Sequence, residues 1–83
     1  MKRILLDTNV ILDFLLKREP NFRYAQIIMK EVVIGNVQGY ITASMATDIF
    51  YLLQKTNGKT FAFNSLTDLL IIIDVLTVYR DDV

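Results

Sequence analysis

The stretch ILLDTNVILDFLL, residues 4–16, decides the fold of this chain. Its first aliphatic residues end abruptly at Asp7, as a buried strand of a parallel sheet does where it passes into a helix. From Thr8 to Leu16 the apolar residues recur at helical spacing, which predicts a first helix that is mostly buried. An ionised carboxylate in such apolar surroundings costs free energy unless it is paired, hydrogen-bonded or bound to a cation. Asp7 is therefore expected to have a partner.

The remaining residues continue the alternation of helices and strands. Glu19-Pro20-Asn21 ends the first helix, Gly35 ends the second and Asn57-Gly58 ends the third. Asn21 and Ser44 are predicted to cap the second and third helices. The predicted elements are a strand at 3–6, helices at 8–16 and 21–34, a strand at 39–42, helices at 44–57 and 59–70, a strand at 74–78 and the start of another helix at 80–82. This order, with no hairpin signal, predicts an α/β fold with parallel strands and right-handed crossovers.

The composition excludes several classes of chemistry. Of the 83 residues, 53% are hydrophobic, so the chain is predicted to fold as one small domain. Nine basic and nine acidic residues cancel, so a polyanion must be held locally rather than by a global positive field. Without cysteine or histidine, the chain has no thiol nucleophile, no Ser-His-Asp triad and no zinc site of the Cys or His type. Carboxylates, hydroxyls, lysines and metal-activated water remain.

The N-terminus and the longest aliphatic run predict a cytoplasmic protein with no membrane segment. Polar residues interrupt the apolar stretch after Met1-Lys2-Arg3, and no cleavage site of small residues follows, so a secretory signal is not expected. The run from Leu69 to Ile73 is far shorter than the roughly 20 residues that a helix needs to span a bilayer. The absence of cysteine fits a reducing compartment.

A second carboxylate is predicted to lie at the same edge of the sheet as Asp7. Ligands of open parallel sheets bind beyond the carboxyl ends of the strands, and Asp7 lies at such an end. Asp48 follows the next strand, one helical turn after Ser44, in the predicted first turn of the third helix. Spacing alone leaves another interpretation open, in which Asp7 caps a turn and Asp48 is a surface residue at a helix start.

Two blocks of sequence carry a resemblance to a known family. ILLDTNVILDFLL at 4–16 and GYITASMATDIFYLLQK at 39–55 occur in the order and spacing of the PIN domain. The chain resembles this metal-dependent ribonuclease fold, which is common as the toxin of VapBC-type toxin–antitoxin pairs. The resemblance implies a PIN-like three-layer α/β/α sandwich with a parallel sheet, here incomplete with three strands and about four helices. Residues 1–83 are then the N-terminal part of a single PIN-like domain.

The resemblance also implies site residues, a cofactor and a substrate. In that family three or four acidic residues gather around Mg²⁺ or Mn²⁺, and water activated by the metal attacks an RNA phosphodiester. Asp7 matches the first acidic position, and Thr8 and Asn9 match the polar pair near the metal. Asp48 falls at the second acidic position, which is usually glutamate. Asp7 and Asp48 are thus the implied catalytic residues and metal ligands, with Thr8 and Asn9 as further metal-binding candidates.

The family's other acidic residues and last two strands would follow Val83, so this chain is expected to be weakly active or inactive by itself. Asp81 and Asp82 match a loop of the family and are interpreted as helix-start residues. Two alternatives stay open beside the ribonuclease: a non-catalytic module that binds an antitoxin-like protein through apolar helix faces, and a receiver-like signalling domain. The receiver would need an aspartate at the end of the third strand.

Three further expectations concern surfaces. The first strand is expected to form a sheet edge, which predicts a homodimer or larger assembly that covers it by strand pairing or helix exchange. Asp13 and Lys17 are expected to form an exposed pair one turn apart. Four aromatic residues are expected to pack in the interior rather than to stack on nucleic-acid bases, namely Tyr24, Tyr40, Phe50 and Tyr51.

Overall fold

The computed structural model describes residues 2–76, and these form three strands and four helices. In chain order they are β1 (Lys2–Leu5), α1 (Thr8–Leu15), α2 (Phe22–Val33), β2 (Val37–Thr42), α3 (Ala43–Asn57), α4 (Lys59–Ile72) and β3 (Asp74–Leu76). The predicted order of elements is confirmed within this range. The helix start at 80–82 and the end of the third strand lie outside the described residues. Among the described helices, none is both long and apolar enough to cross a bilayer.

The three described strands form one parallel sheet in the order β1-β2-β3. Leu5 pairs with Tyr40, and Tyr40 in turn pairs with Asp74. Each pair of strands is joined by two helices, which are the crossover connections that parallel pairing requires. The α/β fold with a parallel sheet is therefore confirmed. Within the described residues β1 forms one edge of the sheet, as predicted.

A single hydrophobic core joins the helices to one face of the sheet. All the helices and β2 contribute fully or almost fully buried side chains, among them Ile11, Met29, Ile41, Ile49, Leu53 and Leu69. Gly39 of β2 permits the close approach of its neighbours, because an added Cβ would lie 3.0 Å from Leu6 Cδ1 and 3.2 Å from Val32 Cγ2. The strand and helix α2 therefore pack at a distance that a larger residue would increase.

The other face of the sheet is open within the described residues. Leu6 is only 3% exposed, whereas the neighbouring Leu5 is 59% exposed. Right-handed crossovers that advance in one direction across a sheet place their helices on one face, which accounts for this difference. Arg3, Leu5, Tyr40 and Leu76 line a shallow groove of about 240 Å³ on the open face. Residues 2–76 thus provide two layers, a sheet and one helical layer, of the three predicted from the resemblance.

The starts of the second and third helices differ from the predicted caps. Thr42, and not Ser44, caps α3: its Oγ1 accepts a hydrogen bond of 3.1 Å from the Met45 N–H. The Ser44 prediction was wrong because Thr42 is still extended, so β2 passes directly into α3. Asn21 occupies the N-cap position of α2, but its side chain makes no capping bond. Gly35 has φ +87° after the end of α2, as predicted for a C-terminal glycine.

The prediction of an exposed Asp13–Lys17 pair is wrong. Asp13 is 9% exposed, and its Oδ1 accepts a hydrogen bond of 2.8 Å from Nε of Arg18 and forms an ion pair with Nη2 of the same residue, also at 2.8 Å. Lys17 instead takes a left-handed backbone conformation with φ 52° just after α1. Because Lys17 is no longer helical, it does not lie one helical turn from Asp13. Arg18, the next residue, reaches the carboxylate instead. The pair joins the end of α1 to the segment that leads to α2.

Candidate active site at the carboxyl edge of the sheet

The carboxyl end of β1 positions Asp7 directly before α1. The Leu6 N–H donates a hydrogen bond of 2.8 Å to the Tyr40 carbonyl, which extends the pairing with β2 by one residue. Asp7 then serves as the N-cap residue of α1, with an extended backbone at φ −78° and ψ 141°. Its carbonyl accepts a hydrogen bond of 3.2 Å from the Ile11 N–H. Buried Leu6 on one side and buried Ile11 on the other therefore hold the Asp7 backbone in place.

The Asp7 side chain is exposed, so the expectation of a buried carboxylate is wrong. Leu6 takes the core position at the end of the strand, and the next residue leaves the apolar layer. The Asp7 carboxylate makes no capping bond to α1 and no ion pair within residues 2–76. Because the carboxylate is exposed to water, it does not need a protein partner to be stable. An accessible carboxylate without a competing protein partner is instead available to a ligand.

Thr8 and Asn9 place two more oxygen-bearing side chains beside Asp7. They are the first two residues of α1, with Thr8 half-buried and Asn9 exposed. Since the chain turns from strand to helix at Asp7, three consecutive polar side chains follow the carboxyl end of β1. Their side chains carry carboxylate, hydroxyl and amide oxygens, the kinds of ligand that hard divalent cations prefer.

Asp48 lies on α3, at a later position in the helix than predicted. It is the sixth residue of the helix, and the first turn contains no acidic residue. The predicted first-turn position is wrong because the helix begins after Thr42 rather than after Ser44. The helix dipole acts within the first turn, so it does not account for an aspartate here. Asp48 is exposed, while the next residue, Ile49, is fully buried and anchors this part of the helix.

The topology brings Asp7 and Asp48 to the same side of the sheet. β1 and β2 are adjacent and parallel, so α1 and α3 both begin at the carboxyl edge, and the two helices contact each other. Asp48 stands about 7.5 Å along α3 from Ala43, since a helix rises about 1.5 Å per residue. Within residues 2–76, no three or more acidic, His or Cys side chains converge as a metal-binding group. The candidate site of the described residues thus contains two carboxylates, one just before α1 and one on α3.

Interior packing was wrongly predicted for two of the four aromatic residues. Tyr24 is 66% exposed and Tyr51 is 63% exposed, whereas Tyr40 and Phe50 are half-buried as expected. For Tyr51 a signal was present in the sequence, because Ser44, Asp48, Tyr51 and Lys55 recur at spacings of four, three and four residues. That periodicity is typical of one helix face. Read as a helix face, it would have placed Tyr51 in solvent beside Asp48.

Comparisons with known proteins give one match. A family model described as "PIN domain" matches residues 3–83, almost the entire chain. Neither a curated protein nor a solved structure matches the chain. The matched range includes both Asp7 and Asp48.

Proposed function

The chain belongs to the PIN domain family, a family of nucleases that typically use divalent metal ions, and on that premise we propose that it forms part of a metal-dependent ribonuclease of the toxin type. The proposed reaction is hydrolysis of RNA phosphodiesters. One observation carries the proposal: the Asp7 carboxylate stands exposed at the carboxyl end of β1, without a protein partner within residues 2–76. This is the place where parallel sheets bind their ligands.

The donor set at this edge fits Mg²⁺ or Mn²⁺. Asp7 would hold the ion directly through its carboxylate oxygens, and Asn9 and Thr8 could add amide and hydroxyl oxygens. These are oxygen donors only, which suits hard cations and does not favour zinc or copper. Asp48 is one methylene shorter than the glutamate that the resemblance implies, so its contact with the ion is proposed to run through water. When bound, a divalent ion would lower the pKa of a coordinated water and make it a better nucleophile, which is chemistry that does not require histidine.

The protein's own contribution in this proposal is to position ligands. The backbone of Asp7 is held by the hydrogen bond from the Ile11 N–H and by its buried neighbour Leu6, which restricts where its carboxylate can lie. Asp48 is carried on α3, whose register is set by the Thr42 cap and by buried Ile49. Carboxylates carried on a rigid strand end and a rigid helix lose little entropy when they bind an ion. The scissile phosphate would then be oriented by the same edge of the sheet.

We further propose that residues 1–83 are the N-terminal part of a single PIN-like domain. The described residues supply two candidate carboxylates, and a catalytic metal in this family is expected to need more. Residues that follow in the same domain would supply them. A cytoplasmic location stays a prediction.

The proposal is tested by Mn²⁺ binding and by cleavage of single-stranded RNA, compared between the unaltered protein and Asp7→Asn. Asp68→Asn is the matched control, because Asp68 is an exposed aspartate on α4, outside the candidate site. We expect Asp7→Asn to weaken Mn²⁺ binding in a calorimetric titration and to abolish any cleavage, and Asp68→Asn to change neither. Equal Mn²⁺ affinity in all three proteins would contradict the assignment of Asp7 as a ligand.

A second candidate function is a non-catalytic module that binds an antitoxin-like protein. It is favoured by an apolar groove of about 490 Å³ beside α2, with Phe14 of α1, Ile27, Met29 and Val33 among its lining residues. Such a groove suits an amphipathic helix of a partner, and Lys30 at its border would face an acidic residue. Absence of both Mn²⁺ binding and cleavage, with tight binding of an amphipathic acidic helix that Ile27→Glu abolishes, would favour this function.

Self-association through β1 is also proposed. β1 is an edge strand of the described sheet, and Leu5 on it is exposed. An unpaired edge of this kind recruits another chain. Light scattering behind size-exclusion chromatography is expected to give at least a dimer at micromolar concentration, and a clean monomer would refute the proposal.

A further inference from the structure

One exposed face of α3 carries an ordered series of functional groups. The α3 stripe consists of Ser44, Asp48, Tyr51 and Lys55, all of them exposed. Residues at these spacings lie on one side of a helix. The opposite side of α3 carries Ile49 and Leu53, which are fully buried in the core. The stripe is therefore the solvent face of a helix that the core holds firmly.

Tyr51 is the member of the stripe that packing does not explain. Its side chain is 63% exposed, and its ring meets Phe50 edge-on, with centroids 6.2 Å apart and an interplanar angle of 69°. It also borders a groove of about 270 Å³ whose lining includes Phe50 of α3 and Leu66 of α4. A flat aromatic ring exposed beside an apolar groove offers a surface on which a nucleic-acid base can stack.

Lys55 extends the stripe beyond Tyr51 with a positive charge. It lies in the last turn of α3, is exposed and makes no ion pair within residues 2–76. At about 1.5 Å per residue, Tyr51 is about 4.5 Å from Asp48 along the helix axis, and Lys55 is about 6 Å farther. A carboxylate, an aromatic ring and a cation thus follow one another along one line that leads away from the candidate site.

From this order we infer that the α3 stripe binds the single-stranded RNA that leads away from the cleavage site. Tyr51 stacks on an unpaired base, and Lys55 contacts the phosphate of that nucleotide. The inference rests on the proposed ribonuclease function and adds to it the residues outside the metal site that hold the unpaired RNA. The chain has no net charge, so a local platform rather than a general positive field must supply the affinity. Tyr51 and Lys55 are substrate-positioning residues in this arrangement.

The inference is tested by direct binding of a short fluorescein-labelled single-stranded RNA, followed by anisotropy with Ca²⁺ in place of Mn²⁺ to prevent cleavage. Base stacking on an aromatic residue is worth roughly a 5- to 150-fold change in affinity. We expect Tyr51→Ala to weaken binding by about tenfold within that range, Tyr51→Phe to retain it, and Lys55→Gln to weaken it and reduce its salt dependence. A duplex of the same sequence is expected to bind more weakly, because its bases are already stacked.

Two matched controls lie elsewhere on the surface. Tyr24→Ala removes an equally exposed tyrosine from α2, and Lys2→Gln removes an exposed lysine at the opposite end of β1. Neither is expected to change RNA affinity. No RNA binding by the unaltered protein, or equal losses in Tyr51→Ala and Tyr24→Ala, would overturn the inference. Binding of a protein to the stripe in place of RNA would overturn it as well.

The outcome is separable from that of the ribonuclease proposal. RNA binding that depends on Tyr51, together with Mn²⁺ binding that Asp7→Asn leaves unchanged, would support RNA binding by the α3 stripe and contradict the proposed metal site. Mn²⁺-dependent cleavage that needs Asp7 but has the same KM in Tyr51→Ala would support the proposed function and refute RNA binding by the α3 stripe. If both hold, Tyr51→Ala raises KM with little change in kcat, whereas Asp7→Asn abolishes kcat.

Discussion

The two ends of the first helix carry aspartates with opposite environments. Asp7, before α1, is exposed and has no protein partner within residues 2–76. Asp13, near the end of the same helix, is buried and held by Arg18 at 2.8 Å. The sequence predicted the reverse for both, a buried Asp7 and an exposed Asp13. The comparison teaches that the paired carboxylate stabilises the fold, whereas the unpaired one at the sheet edge is the candidate for function.

The largest expected effect is that of Asp7→Asn on activity. Removal of a charged metal ligand is expected to abolish any Mn²⁺-dependent RNA cleavage that the chain shows and to weaken Mn²⁺ binding by about 100-fold, which is about 2.7 kcal/mol. The free energy of unfolding is expected to change by less than about 0.5 kcal/mol, since the side chain is exposed and makes no capping bond. Cleavage assays and urea unfolding of the same preparations measure the two quantities. A large loss of stability with intact activity would reverse the roles assigned to the two aspartates.

Asp13→Asn is expected to have its main effect on stability. It leaves Arg18 without its carboxylate at a partly buried site, which is expected to cost about 1.5–3 kcal/mol of unfolding free energy. Urea unfolding measures this loss, and Arg18→Gln should reproduce most of it. The loss in the double variant should be smaller than the sum of the single losses. Mn²⁺ affinity, measured without denaturant, should be unchanged. A loss of metal binding in a folded Asp13→Asn protein would place Asp13 in the metal site.

Thr42→Ala tests the cap at the start of α3, the helix that carries Asp48. Loss of the capping bond to the Met45 N–H is expected to lower the unfolding free energy by about 1 kcal/mol. The matched variant Ser44→Ala should cost less, because the Ser44 side chain does not cap the helix. Thermal unfolding of both variants provides the measurement. Equal losses would argue that Ser44 contributes to the cap after all.

Asp48→Glu is expected to have the smallest effect. It adds the methylene that the family resemblance implies at this position, on an exposed helix face. The unfolding free energy should change by less than about 0.5 kcal/mol, and Mn²⁺ affinity should stay equal or rise a few-fold. Asp48→Asn is the companion variant, and we expect it to weaken Mn²⁺ binding. A calorimetric titration in which Asp48→Asn binds Mn²⁺ as well as the unaltered protein would remove Asp48 from the ligand set.

Local signals in the sequence predicted the elements well and the side-chain environments less well. The glycines at the ends of α2 and α3, Gly35 and Gly58, both have positive φ near 90°, and both helix ends were predicted from them. The cap of α3 was misplaced by two residues, because a capping serine and a capping threonine have the same local preference. Only the extended backbone at the end of β2 distinguishes Thr42 from Ser44.

The candidate site shows the same division. That Asp7 and the start of α3, the helix that carries Asp48, lie at one edge of the sheet followed from the β-α-α-β order, because parallel strands end at the same edge. That Asp7 is exposed did not follow, since it depends on Leu6 filling the core position at the end of β1. The exposure of Tyr51 depends likewise on which face of α3 meets α4 and the sheet.

The sequence by itself determined the order of elements, the parallel sheet and the segments that carry the candidate site. Each of these follows from hydrophobic periodicity, glycines and turn residues, which act over a few neighbouring positions. The tertiary structure alone decided that Asp13 is buried against Arg18, that Asp7 is exposed and that Tyr51 faces solvent. Burial is a property of contacts between distant segments, and the orientation of each element in the core sets which of its polar side chains remain accessible.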